Sequence, residues 1–303
     1  MRKPQILITG AAGQVGQELQ YLAAEFPQFQ LIGLDRLGLD IADEEAVLNW
    51  FEQHEVDFCI NCAAYTAVDK AESEAEKASQ INIEGPRHLA KACASHQIPF
   101  IHLSTDYVYH GDQPRPIKED AATSPQSVYA RTKLAGEGVA QAAHSPVMII
   151  RTSWVYSAFG NNFVKTMLRL GRDREFLNVV FDQIGTPTYA RHLAKTLLQI
   201  IDRIHQGQIK AADINGIFHY SNEGVCSWYD FAVTIFQLEG INCQVYPIES
   251  KDYPTPAKRP PFSVLNKEKI KQHFSISIPH WSVGLRECLT QLRAETLSAK
   301  NIS

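Results

Sequence analysis

The stretch Gly10-Ala11-Ala12-Gly13-Gln14-Val15-Gly16 follows the apolar run Gln5-Ile6-Leu7-Ile8 and precedes a segment with helical periodicity. Glycines in such a loop let the backbone turn tightly and approach a phosphate, and the helix that follows presents free N–H groups. The spacing is GxxGxxG rather than GxGxxG, so the assignment of a dinucleotide-binding loop depends mainly on the strand–loop–helix context. The sequence therefore predicts a dinucleotide-binding loop formed by Gly10, Gly13, Gln14, Val15 and Gly16.

Outward from this loop, short apolar runs alternate with helical patterns. Strands are predicted at 5–8, 31–34, 58–63, 100–103 and 147–150, and helices at 14–26, 43–54, 79–96 and 129–143. Nearly continuous apolar strands that alternate with helices are typical of a parallel sheet covered on both faces. The predicted class is α/β, a Rossmann-type doubly wound parallel sheet with a smaller C-terminal α/β lobe.

The pattern loosens after Arg151. Helices are predicted at 163–172, 192–205 and 228–238 and a short strand at 217–220, and the proline-rich stretch from 250 to 263 is expected to be irregular. We assign residues 1–150 to a dinucleotide-binding domain and 151–303 mainly to a substrate-binding lobe. The two are expected to interleave, with segments around 192–220 returning to the sheet.

Composition excludes several classes of protein. The chain has 303 residues, 45% hydrophobic content and a formal charge of −4, so it can bury a large core and has no general affinity for nucleic acid or anionic membranes. Its start lacks a signal-peptide pattern, which favours a cytoplasmic protein. The pair Cys59 and Cys62 has CxxC spacing but lies in a predicted strand, so buried thiols are favoured over a zinc or redox site.

Tyr129 and Lys133 stand four residues apart in a predicted helix and therefore share one of its faces. A lysine ammonium beside a phenol is expected to lower the pKa of the phenol from about 10, towards working pH. Such pairs are common on protein surfaces, but behind a dinucleotide loop the pair favours hydride transfer, with Tyr129 handling the proton.

Further candidate cofactor contacts follow the predicted strands. Asp35 ends the second strand, where a carboxylate can bind an adenosine ribose, whereas the neighbouring Arg36 can pair with a 2′-phosphate, so NADH and NADPH both remain open. Asp40 and Ile41 are candidates for the adenine site, although Asp40 is equally well explained as a turn residue. The remaining candidates lie after the third strand or end the fourth, and packing explains them about as well: Ala63, Ala64, Tyr65 and Leu103.

Candidate substrate contacts come from three other segments. In Ser104-Thr105-Asp106 a hydroxyl can donate to a substrate oxygen while the acid binds a sugar hydroxyl, although such residues are also common in turns. Trp154 offers a flat face to a sugar ring, against the alternative of a structural tryptophan. Arg259 lies in a proline-stiffened loop that could hold a diphosphate, against the default of a solvated charge.

These stretches together resemble the extended short-chain dehydrogenase/reductase superfamily and, within it, the dTDP-4-dehydrorhamnose reductase family. Besides the glycine loop, the resemblance is carried in chain order by Ala67–Glu72, Ser104–Tyr109, Tyr129–Glu137, Arg151–Tyr156, Asp182–Thr188 and Tyr253–Pro260. It implies NADPH- or NADH-dependent reduction of the C4 ketone of dTDP-4-dehydro-β-L-rhamnose. It also implies that Tyr129 donates the proton, that Lys133 is its partner and holds the nicotinamide ribose, and that Thr105 binds the reacting oxygen.

The resemblance carries three further expectations. Asp106, Trp154 and Arg259 would contact substrate, and a homodimer is open. Some members hold a divalent metal at a dimer interface through glutamates; Glu18 would suit such a site, but Arg191 stands where a second acid is expected, so no metal is predicted. The alternatives are a reductase or epimerase of another nucleotide sugar and a non-catalytic regulatory subunit of the methionine adenosyltransferase type.

Overall fold

The computed structural model describes residues 2–111 and 114–300. Its strands are β1 (Gln5–Thr9), β2 (Gln30–Leu34), β3 (Phe58–Asn61), β4 (Phe100–Thr105), β5 (Val147–Thr152), β6 (Val155–Tyr156), β7 (Phe176–Val180), β8 (Ile184–Gly185), β9 (Thr188–Tyr189), β10 (Gly216–Tyr220), β11 (Cys226–Ser227) and β12 (Gln244–Ile248). Its α-helices are α1 (Gln14–Tyr21), α2 (Glu44–Gln53), α3 (Val68–Ala71), α4 (Ala75–Ser79), α5 (Gly85–Ser95), α6 (Val128–Ala143), α7 (Phe163–Asp173), α8 (Ala190–His205), α9 (Trp228–Glu239), α10 (Glu268–Phe274) and α11 (Trp281–Lys300). Short 3₁₀ turns occur at Leu22–Glu25, Asp106–Val108, Ala211–Ile214 and Ser250–Asp252, and a π-helical turn at Gln80–Glu84.

The main sheet has six strands in the order β10-β5-β4-β3-β1-β2, all parallel. The order 2-1-3-4-5 within it is that of a doubly wound fold, and the chain changes direction across the sheet between β1 and β3. Ligands of such sheets bind outside the carboxyl ends of the strands at this switch point. The predicted Rossmann-type parallel sheet is confirmed.

Strand side chains alternate between two apolar layers. Ile6 and Ile8 pack on the side of α1 and α8, whereas Leu7 packs on the side of α2 and α5, and all three are fully buried. Burial of each such side chain contributes roughly 1.5–3 kcal/mol relative to exposure. These two layers hold the sheet rigid beneath the loops that follow its strands.

The second lobe has its own core, centred on α7, α9 and the first half of α11. Val164, Phe231, Ile235 and Leu285 are fully buried within it. Three two-stranded pairings edge the lobe, of which β7 with β12 and β6 with β9 are parallel and β8 with β11 is antiparallel. Because β10 pairs with β5 and α8 packs against α1, residues 190–220 contribute to the main sheet layer. The division at residue 150 stays a prediction.

The predicted helix at 79–96 corresponds to part of a continuous helical stretch, residues 75–95, that contains one irregular turn. The structure has α4, then the π-helical turn Gln80–Glu84, then α5. The extra residue in the turn places Asn82 so that its side chain accepts from the Tyr65 N–H at 2.8 Å and donates to Thr132 Oγ1 at 3.1 Å. The sequence analysis also predicted neither α10 nor α11. Within the described residues no helix is both long and apolar enough to cross a membrane.

Candidate active site

A cavity of about 660 Å³ opens at the carboxyl ends of β1, β3 and β4, at the switch point of the sheet. Most of the residues predicted for cofactor and substrate contribute to its lining. They are Gly10, Gly13, Gln14, Val15, Arg36, Asp40, Ile41, Ala63, Ala64, Leu103, Thr105, Asp106, Tyr129, Lys133 and Trp154. The volume suits a ligand of several rings, and the lining joins the glycine loop to the Tyr129–Lys133 helix.

The glycine loop forms a cradle that side chains would fill. Gly10 has φ +68°, and a Cβ there would lie 2.5 Å from the backbone N of Ala63. Gly13 caps α1 without a side-chain hydrogen bond, so the first turn of the helix is open towards the cavity. A pyrophosphate fits this arrangement, because helix N-termini attract anions and the missing side chains allow close approach.

Four predicted site residues lie outside the cavity lining. Gly16 packs behind the loop, where a Cβ would lie 2.5 Å from Gly10 O. Asp35 Oδ1 accepts from the N–H groups of Leu37 and Gly38, both at 3.0 Å, so this carboxylate shapes its own turn. The hydroxyl of Tyr65 donates to Glu74 at 2.9 Å.

Arg259 is the fourth residue outside the lining. Its guanidinium pairs with Asp69 at 2.8 Å and donates to the carbonyl of Ala257 at 3.1 Å. The pairing lowers the pKa of the Asp69 carboxyl. Arg259 therefore anchors the late proline-rich segment to α3, and its predicted contact with substrate stays a prediction.

Tyr129 lies in the first turn of α6, whose N-cap Ser127 accepts from Ala130 N at 3.2 Å. Its side chain is half-buried and its ring meets the ring of Tyr107 edge-on at 5.6 Å. Burial raises the pKa of Tyr129 to about 12, against a lowering hydrogen bond from Thr105. The prediction that Lys133 lowers this pKa is wrong for the structure, because burial dominates the shift and the ammonium is bonded to the carbonyl of Leu103 instead. The phenol stays protonated at neutral pH, as a proton donor must.

Lys133 is 2% exposed and lies one turn after Tyr129, against β4. Its ammonium donates to the carbonyl of Leu103 at 2.7 Å rather than to the phenol. Burial lowers the pKa of Lys133 to about 8, while the negative charge of Glu137 raises it. The amine can therefore change protonation state near neutral pH, which an ordinary lysine cannot.

Thr105 ends β4, Asp106 follows it, and both are buried at the cavity wall. Thr105 Oγ1 donates to Asp106 Oδ1 at 3.1 Å, whereas Asp106 Oδ2 is buried with no hydrogen-bond partner among the described residues. Burial raises the pKa of Asp106 to about 7, against lowering by Ser263 and Thr105. A buried orphan oxygen in a cavity wall can accept a hydrogen bond from a ligand hydroxyl.

Trp154 has a left-handed backbone, with φ +47°, directly after β5. Its indole is stacked on that of Trp228, with ring centroids 3.6 Å apart and planes at 10°. Gly185 makes room for it, since a Cβ there would lie 2.7 Å from Trp154 Cε2. Trp228 and Gly185 thus hold the Trp154 ring at the cavity, and sequence reasoning missed both.

A buried ion pair supports the floor of the site. Arg151 and Glu137 are 3% and 2% exposed, with Arg151 Nη2 2.5 Å from Glu137 Oε2. Ser104, which lines the cavity, donates to Glu137 Oε1 at 2.5 Å, and Tyr109 accepts from Arg151 and lies 2.8 Å from His219 Nε2. The pair links β4, β5 and α6 directly behind the residues that line the cavity.

Glu18 and Arg191 form a second ion pair on the side of the sheet that carries α1 and α8. Arg191 Nε donates to Glu18 Oε2 at 2.7 Å, and Ser157 Oγ donates to Glu18 Oε1 at 2.6 Å. Both carboxylate oxygens of Glu18 are therefore satisfied by protein donors. Residues 2–111 and 114–300 contain no cluster of three acidic, histidine or cysteine ligands. That no metal is held stays a prediction.

Several lining residues carried no signal that the sequence analysis used. Cys62 was interpreted as a strand thiol, yet it follows β3 and lines the cavity. Tyr107 was not considered apart from its neighbours, and Gly160 and Asn161 lie in the loop before α7. Ser104, in the segment predicted to contact substrate, also lines the cavity, and the other unpredicted lining residues are Ala12, Leu39, Thr66, Val68, Ile81, Thr152 and Val155.

Comparison with known proteins adds independent information. Residues 4–294 match the family model described as the RmlD substrate binding domain. The dTDP-4-dehydrorhamnose reductase of Aggregatibacter actinomycetemcomitans is 40% identical over 289 residues, which are 93% of this chain and 97% of that protein.

Solved structures agree with the sequence comparison. The crystal structure of a dTDP-4-dehydrorhamnose reductase from Clostridium acetobutylicum has a TM-score of 0.89 and 41% identity, and covers 95% of this chain and 99% of its own. The enzyme of the same name from Bacillus anthracis, solved in complex with NADP, has a TM-score of 0.89 and 35% identity, and covers 96% of this chain and 100% of its own.

Proposed function

The chain belongs to the dTDP-4-dehydrorhamnose reductase family, and from this premise we propose that it reduces the C4 ketone of dTDP-4-dehydro-β-L-rhamnose to dTDP-L-rhamnose with NADPH or NADH. The observation that supports this function best is that one cavity is lined by the glycine loop, Thr105, Tyr129 and Lys133 together. The cavity therefore offers residues of suitable chemistry both to a dinucleotide and to a second ligand.

The dinucleotide, when bound, supplies the hydride for C4. Gly10 and Gly13 would hold its pyrophosphate, and Arg36 with Asp40 would meet its adenosine end, since both line the cavity. Arg36 Nε lies 3.0 Å from Asp40 Oδ2, with 70% of the Arg36 side chain exposed. A guanidinium at this position suits a 2′-phosphate, and the carboxylate of Asp35 is engaged in its own turn. The arrangement favours NADPH over NADH.

Tyr129 performs the proton transfer in this proposal. Its O–H bond breaks as the C4 oxygen takes the proton, which completes the alcohol and leaves a phenolate. Thr105 donates a hydrogen bond to the same oxygen and orients it, once its hydroxyl turns away from Asp106 Oδ1. The positive charge of Lys133, one turn along α6, balances the negative charge of this phenolate. By the family resemblance, Lys133 also holds the nicotinamide ribose.

Substrate contacts are proposed for Asp106, Trp154 and Arg259. Asp106 Oδ2 accepts from a sugar hydroxyl, which gives the orphan oxygen a partner. Trp154 covers one face of the sugar ring, with its other face held by Trp228. Arg259 would act on the diphosphate only after exchanging or sharing its partner Asp69.

The test mixes purified protein, NADPH or NADH and the dTDP-4-dehydro sugar, and follows loss of the reduced-nicotinamide absorbance. Consumption of one equivalent of cofactor per dTDP-L-rhamnose formed supports the proposal. A product without net cofactor consumption would support an epimerase. A protein that binds cofactor but turns over none of the dTDP- or UDP-linked keto sugars offered would support the regulatory-subunit alternative.

A cytoplasmic location and a homodimer are further parts of the proposal. Sedimentation measures whether the protein forms a homodimer.

A further inference from the structure

Two polar side chains occupy the centre of the parallel sheet, directly beneath Lys133. Asn61 ends β3 and His102 lies in β4, opposite each other in the register of the two strands. Both are fully buried, as is Thr9 at the end of β1. Burying a polar group costs free energy unless its hydrogen bonds are satisfied, so each of these side chains is expected to have a hydrogen-bond partner.

The orientation of the Asn61 amide is fixed by donors of known identity. Its Oδ1 accepts from the backbone N–H of Ala63 at 3.0 Å and from Thr9 Oγ1 at 2.7 Å. A backbone N–H can only donate, so the atom facing it must be the amide oxygen. The amide nitrogen, Nδ2, therefore faces His102 Nδ1 at 3.0 Å and donates to it.

This donation determines which nitrogen of His102 carries the proton. Burial and the charge of Lys133 hold the pKa of His102 well below its ordinary value, so the ring is neutral. A neutral imidazole that accepts at Nδ1 must carry its proton at Nε2. Nε2 lies 3.5 Å from Lys133 Nζ. The ring thus directs an N–H donor at a side chain that, as an ammonium, can only donate.

We propose that His102, with its tautomer set by Asn61, is a positioning residue that directs an N–H group at Lys133 and thereby favours the neutral amine of that lysine. The inference rests on the proposed role of Lys133 beside Tyr129. An ammonium has no acceptor for the imidazole N–H, whereas an amine has a lone pair that can accept it. Lys133 is then able to give up a proton in the pH range where the phenolate of Tyr129 must be reprotonated.

Other groups facing Lys133 act in the opposite direction. Glu137, one turn further along α6, and Cys62, after β3, both raise the pKa of Lys133, and the carbonyl of Leu103 accepts from its ammonium. The protonation state of Lys133 is therefore a balance between these groups and the imidazole N–H. Removing the N–H should shift this balance towards the ammonium.

The first experiment reads the tautomer in the unmodified protein. Histidine labelled with ¹⁵N distinguishes a protonated from an unprotonated ring nitrogen by chemical shift. The expected result is a pH-independent signal from His102 with the proton at Nε2, assigned by its loss in His102→Phe. A proton at Nδ1, or a doubly protonated ring at neutral pH, would overturn the proposal without any variant needing to be active.

The second experiment titrates Lys133 through its ¹³Cε signal, assigned by its loss in Lys133→Met. His102→Phe should raise the Lys133 pKa by roughly one pH unit, the equivalent of one neutral hydrogen bond. Asn61→Asp should also raise it, because an aspartate accepts from Nδ1–H and turns the Nε2 lone pair towards Lys133. His144→Phe is the matched control, since this buried histidine contacts Ile98 O at 2.6 Å at the other end of α6 and should change nothing at Lys133.

The double variant separates the tautomer from the added charge of Asn61→Asp. If the aspartate acts through the ring, its effect disappears in the His102→Phe background, as a double-mutant cycle reports. If the shift persists there unchanged, or if His102→Phe leaves the titration of Lys133 where it was, the proposal fails. Because the readout is a titration and not turnover, failure of the reductase activity would leave this test intact.

Discussion

Replacement of Arg151 by methionine should destabilise the protein by about 3–5 kcal/mol, because the change leaves a buried carboxylate without its counter-charge. Glu137 is 2% exposed and would keep only the Ser104 hydroxyl, at 2.5 Å, as a direct partner among the described residues. The lost contacts run from Arg151 Nε and Nη2 to Glu137 at 3.0 and 2.5 Å. Two charge-assisted hydrogen bonds at about 1.5–3 kcal/mol each give about 3–6 kcal/mol, which is consistent with that estimate.

Urea unfolding at neutral pH measures this loss, provided that the slope of the unfolding free energy against urea stays unchanged. Two further variants control it. Arg151→Met combined with Glu137→Met should regain most of the stability, because an apolar pair has no charge to desolvate. Arg2→Met breaks an exposed pair with Asp57 and should have a far smaller effect. The reasoning is refuted if the single Arg151 variant lies within about 1 kcal/mol of the unmodified protein, since an ordinary substitution costs that much.

The remaining predictions concern the walls of the cavity. Trp228→Ala removes the ring stacked on Trp154, so the KM for the nucleotide sugar should rise about tenfold while dinucleotide affinity, measured by fluorescence titration, stays unchanged. Arg36→Ala should weaken NADPH binding about tenfold and leave NADH nearly unaffected, as separate titrations would report. The pKa of Asp106 is raised by burial to about 7, and only its carboxylate accepts freely from a sugar hydroxyl. The KM for the sugar should therefore rise as pH falls below about 7, and Asp106→Asn should flatten this dependence.

Each of these predictions has a contrary result. Equal loss of NADPH and NADH affinity in Arg36→Ala would remove the argument for a 2′-phosphate site. An unchanged KM in Trp228→Ala would mean that Trp154 does not depend on its stacked partner. A KM that is independent of pH in the unmodified protein would mean that Asp106 does not bind the sugar as a carboxylate.

Sequence patterns predicted correctly those features of the fold that depend on residues close together in the chain. The glycine loop and the alternation of apolar strands with helices depend on neighbouring residues, and they predicted the parallel sheet, whereas the strand order that creates the switch point comes only from the structure. The spacing of Tyr129 and Lys133 placed both on one face of α6, and both line the cavity. The strands of the second lobe are mostly two residues long, too short for a period to be recognised.

The electrostatics of the site depend on packing that the sequence does not reveal. The pKa of Tyr129 was predicted to fall because spacing shows its neighbour, but not the water that burial removes. The assignment of Asp35 to a ribose stays a prediction, and the position at a strand end did not reveal that its Oδ1 also binds the turn that follows. Trp228 contacts Trp154 across more than seventy intervening residues, and no local pattern predicts such a pair.

One signal was present in the sequence but not used. Asn61 and His102 are polar residues that directly follow apolar ones in β3 and β4, and a buried polar side chain at such a position requires a partner. The same reasoning applies to Arg151, which continues the apolar run of β5. Polar residues inside predicted buried strands therefore indicate where hydrogen bonds and ion pairs of the sheet hold the residues that line a site.

The most direct test of the central claim, that Tyr129 gives its proton to the sugar C4 oxygen, is the turnover of Tyr129→Phe. This variant keeps the ring that meets Tyr107 edge-on and removes only the hydroxyl. The rate constant kcat for reduction of the dTDP-4-dehydro sugar should fall about 10²–10⁴-fold, the usual contribution of a general acid, with NADPH affinity unchanged. Turnover close to that of the unmodified enzyme would contradict the assignment.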